Sequence, residues 1–205
     1  MRRAARGMLA TIALALLTAP SSLARVYLTQ DQALALAFPA PASVQRRTLY
    51  LDAAQAARAG REAGGAVETR VVPYYVGTAE GRPVGYAYFD THLVRTLPET
   101  IMVLLAADGR IRRIDILSFD EPEDYKPTER WLQQFPGRGP GDELSLNGGI
   151  HALTGATLSA RAVTQAARRV VALHRLFVAP FPPPSGPAPG KGDGAPPGAP
   201  GAVRP

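Results

Sequence analysis

A short run of small and hydroxyl-bearing residues stands directly before an amphipathic segment near the end of the chain. It reads LTGATLSA from position 153, with hydroxyl groups at Thr154, Thr157 and Ser159 and the small residues Gly155 and Ala156 between them. The start of a helix offers free N–H groups and the positive end of the helix dipole, and small residues let a phosphate approach the backbone. The pattern therefore fits a site for a phosphate-bearing ligand, and it fits an ordinary turn and helix cap equally well.

The segment that follows has the apolar spacing of an amphipathic helix. We predict that this helix begins at about Ser159, because serine is a favoured N-cap residue. Arg161, Arg168 and Arg169 are predicted to lie mostly in solvent. The predicted apolar face comprises Val163, Ala167, Val170 and Phe177.

The middle of the chain has the pattern of an antiparallel sheet. The pair Asp108-Gly109 separates an apolar run from a second run in which isoleucines alternate with charged residues. An Asp-Gly pair in this position favours a tight hairpin, because both turn positions tolerate positive φ. Strand character also extends over residues 44–51, 69–76 and 84–91.

Three further helices are predicted around these strands. The residues TQDQ from position 29 have the spacing of a capping box ahead of an Ala/Leu run, and residues 52–63 are rich in alanine. Pro127 suits the first turn of a helix through Trp131 and Phe135, which a glycine-rich segment would end. The fold class predicted from these elements is α+β, a single domain with an antiparallel sheet and flanking helices.

The N-terminus has the features of an export signal. Arginines precede the apolar run Met8–Ala19, and Ser22-Leu23-Ala24 offers small residues at a cleavage site. The run is shorter than the roughly 20 residues that span a bilayer as a helix, so cleavage is favoured over a retained membrane anchor. We therefore predict a signal peptide at residues 1–24 and an exported, periplasmic or otherwise extracytoplasmic protein, with membrane association left open.

Composition narrows the classes of function. The formal net charge is +6, but residues 25–179, the predicted folded domain, hold 18 Lys and Arg against 16 Asp and Glu. Since no long basic run accompanies this near-neutral balance, nucleic-acid binding is not expected. The absence of cysteine excludes disulfides, iron–sulfur clusters and thiol nucleophiles. Residues 180–205 are rich in Pro and Gly, which predicts a disordered tail.

The segment Leu153–Val163 resembles the Ser/Thr-Gly-Ala-Thr signature of the FMN-binding domain family. This family includes the C subunit of sodium-pumping NADH:quinone reductase and the G subunit of the Rnf electron-transport complex. The upstream RWLQQFPGR is similar to the family's aromatic helix end, and the resemblance extends over about residues 70–177. It implies covalent FMN, with Thr157 esterified to the FMN phosphate by a magnesium-dependent flavin transferase that uses FAD. Thr154, Gly155, Ala156 and Ser159 would then shape the phosphate pocket.

Other residues are candidates to contact the flavin. Tyr125 lies in the loop where the family's flavin contacts occur, although an aromatic residue in a Pro-rich loop more often serves packing. His151 could favour the phosphate when it is protonated, or be a solvated loop residue. Glu99 and Thr100 begin a strand that could approach the flavin, or they could satisfy backbone groups there.

The leading hypothesis is therefore an exported electron carrier, because FMN does the redox chemistry and no second redox centre is recognisable. A flavin transferase during maturation and a membrane or periplasmic redox protein are the expected partners. No catalytic residue and no metal site are expected, since zinc and hydrolase motifs are missing.

The alternative is a non-redox binding module that keeps the fold without covalent flavin. It rests on His151, where the family usually has an acidic residue, and on the glycine-free sequence FDEPEDYKP. A third hypothesis is a hydrolase that uses the acidic cluster Asp120, Glu121, Glu123 and Asp124.

Overall fold

The computed structural model describes residues 25–179 of the 205-residue chain. The predicted signal peptide and the predicted disordered tail lie outside the described residues. Within residues 25–179, six strands form one antiparallel sheet with helices on both faces. The predicted α+β class and single domain are confirmed.

The order of elements along the chain is that of an antiparallel meander preceded by a short edge strand. The strands are β1 (Arg25–Val26), β2 (Ser43–Tyr50), β3 (Val71–Ala79), β4 (Arg82–Leu93), β5 (Pro98–Ala106) and β6 (Ile111–Phe119). In the sheet they lie in the order β1-β6-β5-β4-β3-β2. The helices are α1 (Gln30–Ala37), α2 (Ala53–Ala63), α3 (Glu129–Leu132) and α4 (Thr157–Leu173), with a 3-10 turn at Glu123–Tyr125 and a π-helical turn at His174–Val178 that extends α4.

The first two helices begin where the sequence places capping boxes. The Thr29 hydroxyl accepts a hydrogen bond from the backbone N–H of Gln32, whose side chain accepts one from the Thr29 N–H. Asp52 and Gln55 make the same reciprocal pair at the start of α2. These bonds satisfy N–H groups that a helix leaves free at its start, so both predicted helices are confirmed close to their predicted bounds.

The two faces of the sheet bury different helices. α1 covers one face, where Phe38 lies against β3 so closely that a Cβ at Gly77 would come within 2.1 Å of its ring. α2 and α4 cover the other face over an apolar cluster built from alternate residues of β4 and β5. The alternation follows from the period of two in strands, and it assigns Tyr86, Tyr88, Ile101 and Val103 to the α4 side. The core is thus a helix layer, a sheet and a second helix layer.

The hairpin between β5 and β6 forms at the predicted Asp-Gly pair. The Ala106 N–H donates to the Arg110 carbonyl at 2.8 Å, and the Gly109 N–H donates to the Ala106 carbonyl at 3.0 Å. Of the two central residues, only Gly109 has positive φ, at 81°. The hairpin is confirmed, and its connection uses one left-handed residue, Gly109.

Two helix predictions are corrected. The helix predicted through Trp131 and Phe135 ends at Leu132, and its N-cap is Thr128, so Pro127 precedes the cap instead of lying in the first turn. α4 begins at Thr157, two residues before the predicted start, and its N-cap position is Ala156. Ser159 lies within the first turn, where its side chain is buried and does not cap the helix.

The predicted solvent exposure of the α4 arginines is partly wrong. Arg169 makes two-pronged contacts with Asp90 of β4, with nitrogen–oxygen distances of 2.7 to 3.1 Å, because its position on α4 faces the rim of the sheet. Arg161 is exposed, and Arg168 is half-buried. Among residues 25–179, no helix combines the length and the apolar character needed to cross a membrane.

Candidate functional site

The approach to α4 is a tight turn that leaves its first N–H groups uncapped. Gly155 has φ of +83°, and no atom lies within 4 Å of where its Cβ would be, so the space above the turn is open. The Ala156 N–H donates to the Leu153 carbonyl at 3.1 Å, which closes the turn. No side chain caps the helix. Since the first turn of a helix leaves several N–H groups without intrahelical partners, a ligand with acceptor oxygens would complete it.

Thr157 is the first residue of α4, and its side chain lies at the surface. Its hydroxyl donates a long hydrogen bond of 3.4 Å to the Leu153 carbonyl and makes no other side-chain hydrogen bond within the described residues. An exposed hydroxyl at a helix start is accessible to a modifying enzyme. The lack of a tight partner also means that its loss would cost the fold little.

A pocket of about 260 Å³ adjoins this turn, and we call it the helix-start pocket. One wall is the first turn of α4, the second is the β4–β5 connection, and the third is the segment that follows β6. Tyr125 stands at its edge with 39% of its surface exposed, and Leu158 is 44% exposed. The residues lining it are Val94, Arg95, Glu121, Tyr125, Gly155, Ala156, Thr157, Leu158 and Ser159.

Ser159 contributes a buried hydroxyl without a partner. The residue is 1% exposed, and its Oγ has no hydrogen-bond partner within the described residues. A buried polar atom without a hydrogen bond costs free energy, so such an atom needs an explanation. Because Ser159 also lines the helix-start pocket, a polar group bound there would supply the missing partner.

Glu121 holds the wall of the pocket in place. One of its carboxyl oxygens accepts the backbone N–H groups of Thr96 at 2.7 Å, Leu97 at 2.9 Å and Arg95 at 3.2 Å. The hydrogen bonds from Thr96 and Leu97 are the main reason that the pKa of Glu121 is lowered. The carboxylate therefore ties the β4–β5 connection to the segment after β6.

A second member of the acidic cluster, Glu123, is also engaged in structural contacts. Glu123 accepts a hydrogen bond from the Tyr27 hydroxyl at 2.6 Å and pairs with Lys126, whose ammonium lies over the Tyr27 ring. These bonds lower the pKa of Glu123, so its carboxyl is held ionised. Because Glu121 and Glu123 are both held by structural contacts, they do not form the pair of free carboxyl groups that hydrolysis would need. This disfavours the hydrolase hypothesis.

A row of charged groups, fully buried only at Glu99, connects α4 to the start of β5. From Asp90, which is bound to Arg169, the row continues to His92 at 2.9 Å and from His92 to Glu99 at 3.1 Å. Burial lowers the pKa of His92, but the hydrogen bonds to the two carboxylates outweigh burial and raise it to about 9. Burial raises the pKa of Asp90, but the hydrogen bonds from His92 and Arg169 outweigh it, and the net direction is down. Burial raises the pKa of Glu99, and the contact with His92 only partly offsets this.

The structure brings together some of the residues singled out from the sequence. Gly155, Ala156, Thr157, Ser159 and Tyr125 line one pocket. Thr154 lies exposed in the adjoining turn.

Three other candidates lie apart from the pocket lining. Glu99 is fully buried behind the β4–β5 connection, and one of its carboxyl oxygens has no partner. Thr100 points to the opposite face of the sheet, since neighbours on a strand alternate, and its hydroxyl lies 3.0 Å from that of Thr91. His151 is engaged through its backbone: its N–H donates to Gln134 and its carbonyl accepts the Trp131 indole N–H.

Sequence reasoning missed the β4–β5 connection as a wall of the site. Val94, Arg95 and Glu121 line the pocket, but they are 62, 61 and 35 residues before Ala156 in the chain. No local pattern marks them, because Glu121 reads as one member of an acidic run. The available signal was a glutamate directly after a strand, which could accept hydrogen bonds from the free N–H groups of a neighbouring connection. This signal is weak.

Comparison with known proteins is consistent with this site. Residues 97–172 match the family model described as an FMN-binding domain. The matched segment begins at the end of the β4–β5 connection and runs into α4, so it includes Tyr125 and the whole turn from Thr154 to Ser159. No match was found among the curated proteins or among the solved structures.

Proposed function

We propose that the protein is an electron carrier whose FMN is esterified to Thr157, because residues 97–172 match the family model of an FMN-binding domain. The family match supports FMN binding. We further propose that the protein transfers electrons, that its FMN is attached covalently and that the protein is exported. The single observation that carries it is the exposed Thr157 hydroxyl at an uncapped helix start beside a pocket with a partnerless buried hydroxyl.

The residues of the helix-start pocket fit the parts of FMN. The free N–H groups of the first turn and the Ser159 hydroxyl suit phosphate oxygens, and the open space above Gly155 lets the phosphate approach. Val94, Leu158 and the ring of Tyr125 supply apolar surface for a flat aromatic ring. The Arg95 guanidinium at the pocket adds positive charge beside an anionic ligand.

FMN, when bound, supplies the exchange of one or two electrons. The chain contributes position and access: Thr157 holds the phosphate by an ester, Glu121 keeps the β4–β5 wall in place, and Tyr125 lies at the edge of the pocket. Among the described residues, this pocket contains no pair of carboxyl groups and no nucleophile arranged to catalyse a reaction of the protein's own. A carrier that exchanges electrons with other redox proteins is the function that these features support best.

Export is part of the proposal. It is supported by the arginines, the apolar run and the small residues of positions 1–24. Outside the cytoplasm lost FMN could not readily be replaced, so an ester bond would prevent its loss by dissociation. A membrane or periplasmic redox protein is then the proposed partner.

The decisive experiment compares Thr157→Val with Thr154→Val after co-expression with an exported flavin transferase. Each protein is denatured in acid, and flavin absorbance and intact mass are measured on the protein fraction. We expect the wild type and Thr154→Val to keep flavin through denaturation, with the added mass of one esterified FMN on the peptide containing Thr157. Thr157→Val should remain folded and lose this flavin. Denaturation-resistant flavin in Thr157→Val would overturn the assignment.

A second candidate function is a non-redox binding module. The observation that favours it is His151, which stands where the family usually has an acidic residue and engages its neighbours through its backbone only. A colourless, unmodified wild-type chain after co-expression with a transferase shown to modify another substrate in the same cells would favour this candidate. The helix-start pocket would then bind another anionic ligand.

A further inference from the structure

A second pocket lies at Thr157, and Thr157 is the residue that it shares with the helix-start pocket. We call it the arginine pocket; its volume is about 270 Å³. It lies along the exposed side of α4, with the segment before the Thr154 turn as its other wall. The residues lining it are Ser145, Leu146, Asn147, Ala152, Thr157, Arg161, Thr164, Gln165 and Arg168.

The two arginines of this pocket carry unbalanced positive charge. Arg161 follows Thr157 by four residues and Arg168 follows Arg161 by seven, so all three lie on one side of α4. Neither arginine makes an ion pair with any residue in the part of the chain that the structure describes, whereas Arg169 pairs with Asp90 and Arg175 pairs with Glu62. No Asp or Glu occurs between residues 144 and 179.

Two of the carboxylates in the neighbouring cavity are already paired with other arginines. Glu62, Asp142 and Glu143 line the neighbouring cavity on the other side of Arg168. Glu62 contacts Arg175 at 2.5 Å, Asp142 contacts Arg110 at 2.8 Å, and Glu143 accepts the Ser145 hydroxyl at 2.9 Å. Arg161 and Arg168 therefore have no ion-pair partner among the described residues, and Arg161 lies near the positive end of the α4 dipole.

We propose that the arginine pocket is the docking site for the acidic surface of the electron-transfer partner, an inference that rests on the proposed function. The seven-residue spacing separates the two guanidinium-bearing positions by about 10 Å along the helix axis. This separation is wider than one phosphate or carboxylate, and it suits two or more carboxylates on the surface of a protein. A partner bound there contacts the residue that carries the flavin.

Charge complementarity at this place raises the rate of encounter more than the affinity. Each productive encounter transfers one electron from the reduced flavin to the oxidised redox centre of the partner. Transfer of one electron from the reduced partner to the oxidised flavin balances in the same way, so the docking surface serves electron transfer in either direction. Interactions of this kind weaken as salt rises, since the screening length is about 10 Å at 0.1 M ionic strength.

The test uses two small redox proteins of opposite charge as probes, the acidic copper protein plastocyanin and the basic cytochrome c. The flavin-loaded protein is reduced, mixed with each oxidised probe, and followed by stopped-flow absorbance over a range of ionic strength. We expect plastocyanin to react faster at low salt, and Arg161→Gln/Arg168→Gln to lower this second-order rate by about three- to tenfold. The rate with cytochrome c should stay the same or rise in the same variant.

The matched control removes two exposed arginines, Arg46 and Arg82, that make no ion pair among the described residues. Arg46 lies on the edge strand β2, and Arg82 lies at the turn between β3 and β4, at the end of the sheet away from the β4–β5 connection. Arg46→Gln/Arg82→Gln has the same net charge as the test variant and should keep the plastocyanin rate. Equal loss in both variants, or no loss in the test variant, would overturn the docking site while the bound flavin still supports the proposed function.

A second readout does not depend on flavin. In an NMR titration of the flavin-free chain with copper(I) plastocyanin, amide signals of residues 145–147 and 161–168 should shift, and the shifts should disappear in Arg161→Gln/Arg168→Gln. If inorganic phosphate at constant ionic strength abolishes these shifts and binds with one-to-one stoichiometry, the pocket takes a small anion and the protein-docking proposal is wrong. A dimer that the variant dissociates would likewise overturn it in favour of a second copy of the chain.

Discussion

At the first turn of α4, two hydroxyl groups two residues apart have different surroundings. The Thr157 hydroxyl is exposed and weakly bonded, which suits covalent modification. The Ser159 hydroxyl is buried without a partner, which suits a contact with a bound polar group. A residue of this kind, which destabilises the ligand-free protein and contacts the bound ligand, is expected at a binding site.

We predict that Ser159→Ala separates stability from ligand binding. A partnerless buried hydroxyl costs about 1–3 kcal/mol, so its removal should leave the free energy of unfolding of the flavin-free chain unchanged or raise it by about 1 kcal/mol. The variant should bind added FMN roughly tenfold more weakly, because a hydrogen bond to a charged group contributes about 1.5 kcal/mol or more. Urea denaturation and fluorescence titration with FMN measure the two quantities.

Ser118→Ala is the matched control for this prediction. Ser118 is a half-buried residue of β6 and lies outside the helix-start pocket. It should leave FMN binding unchanged. Loss of stability in Ser159→Ala with unchanged FMN affinity would show that the Ser159 hydroxyl serves the fold and not the ligand.

At the scale of elements, the position of α4 on the sheet depends on a contact between residues far apart in sequence. Arg169 bonds both carboxyl oxygens of Asp90, and both side chains are less than one-fifth exposed. A pair of this kind is costly to break from one side, because the remaining charge stays buried. The contact lies in the last third of α4, and it holds the helix that carries Thr157 against β4.

We predict that Arg169→Met lowers the free energy of unfolding by about 2–4 kcal/mol, since Asp90 would keep only His92 as its partner. Arg168→Met, at the neighbouring position without an ion pair among the described residues, should change it by less than about 0.5 kcal/mol. Urea denaturation of both variants measures the difference. Equal effects of the two substitutions would contradict a clamp between α4 and β4.

For the whole molecule, two histidines should shape the dependence of stability on pH in opposite ways. The pKa of His92 is raised to about 9 by its two carboxylate partners, and burial lowers the pKa of His174 to about 4. His174 is 1% exposed beside the Tyr88 hydroxyl, at 2.9 Å. Unfolded histidines titrate near pH 6.5, so the folded chain shifts the two in opposite directions.

We predict that stability is highest near pH 6.5 over the range from 4 to 9. The contribution of protonated His92 is present in full below pH 6.5 and is lost as the pH rises to 9, by about 2–3 kcal/mol. The contribution of neutral His174 is present above pH 6.5 and is lost as the pH falls to 4, by a similar amount of about 2–3 kcal/mol. Urea denaturation at a series of pH values measures the curve.

Two variants assign the slopes of that curve. His92→Gln should flatten the loss between pH 6.5 and 9 and leave the acid side as it was. His174→Gln should flatten the loss between pH 4 and 6.5, whatever its effect on stability at neutral pH. An unchanged slope in either variant would show that another group governs that range, with Glu99 the first to examine on the alkaline side because its pKa is also raised.

The sequence by itself determined the elements whose signals are local. The capping boxes at Thr29 and Asp52 and the hairpin at Asp108-Gly109 each depend on residues within a few positions of one another, so a pattern in the chain is enough to predict them. The signature around Thr157 belongs to the same class, and its resemblance to the FMN-binding family agrees with the family match.

Only the tertiary structure decided which distant residues complete the site. It buried Ser159, which the sequence predicted as the N-cap of the helix, and it paired Arg169 with Asp90 across 79 positions of the chain. It also turned Glu121 from a member of an acidic run into the acceptor for the Thr96 and Leu97 N–H groups. These contacts follow from the register of the strands and the packing of α4 on the sheet, and no periodicity within a short window contains that information.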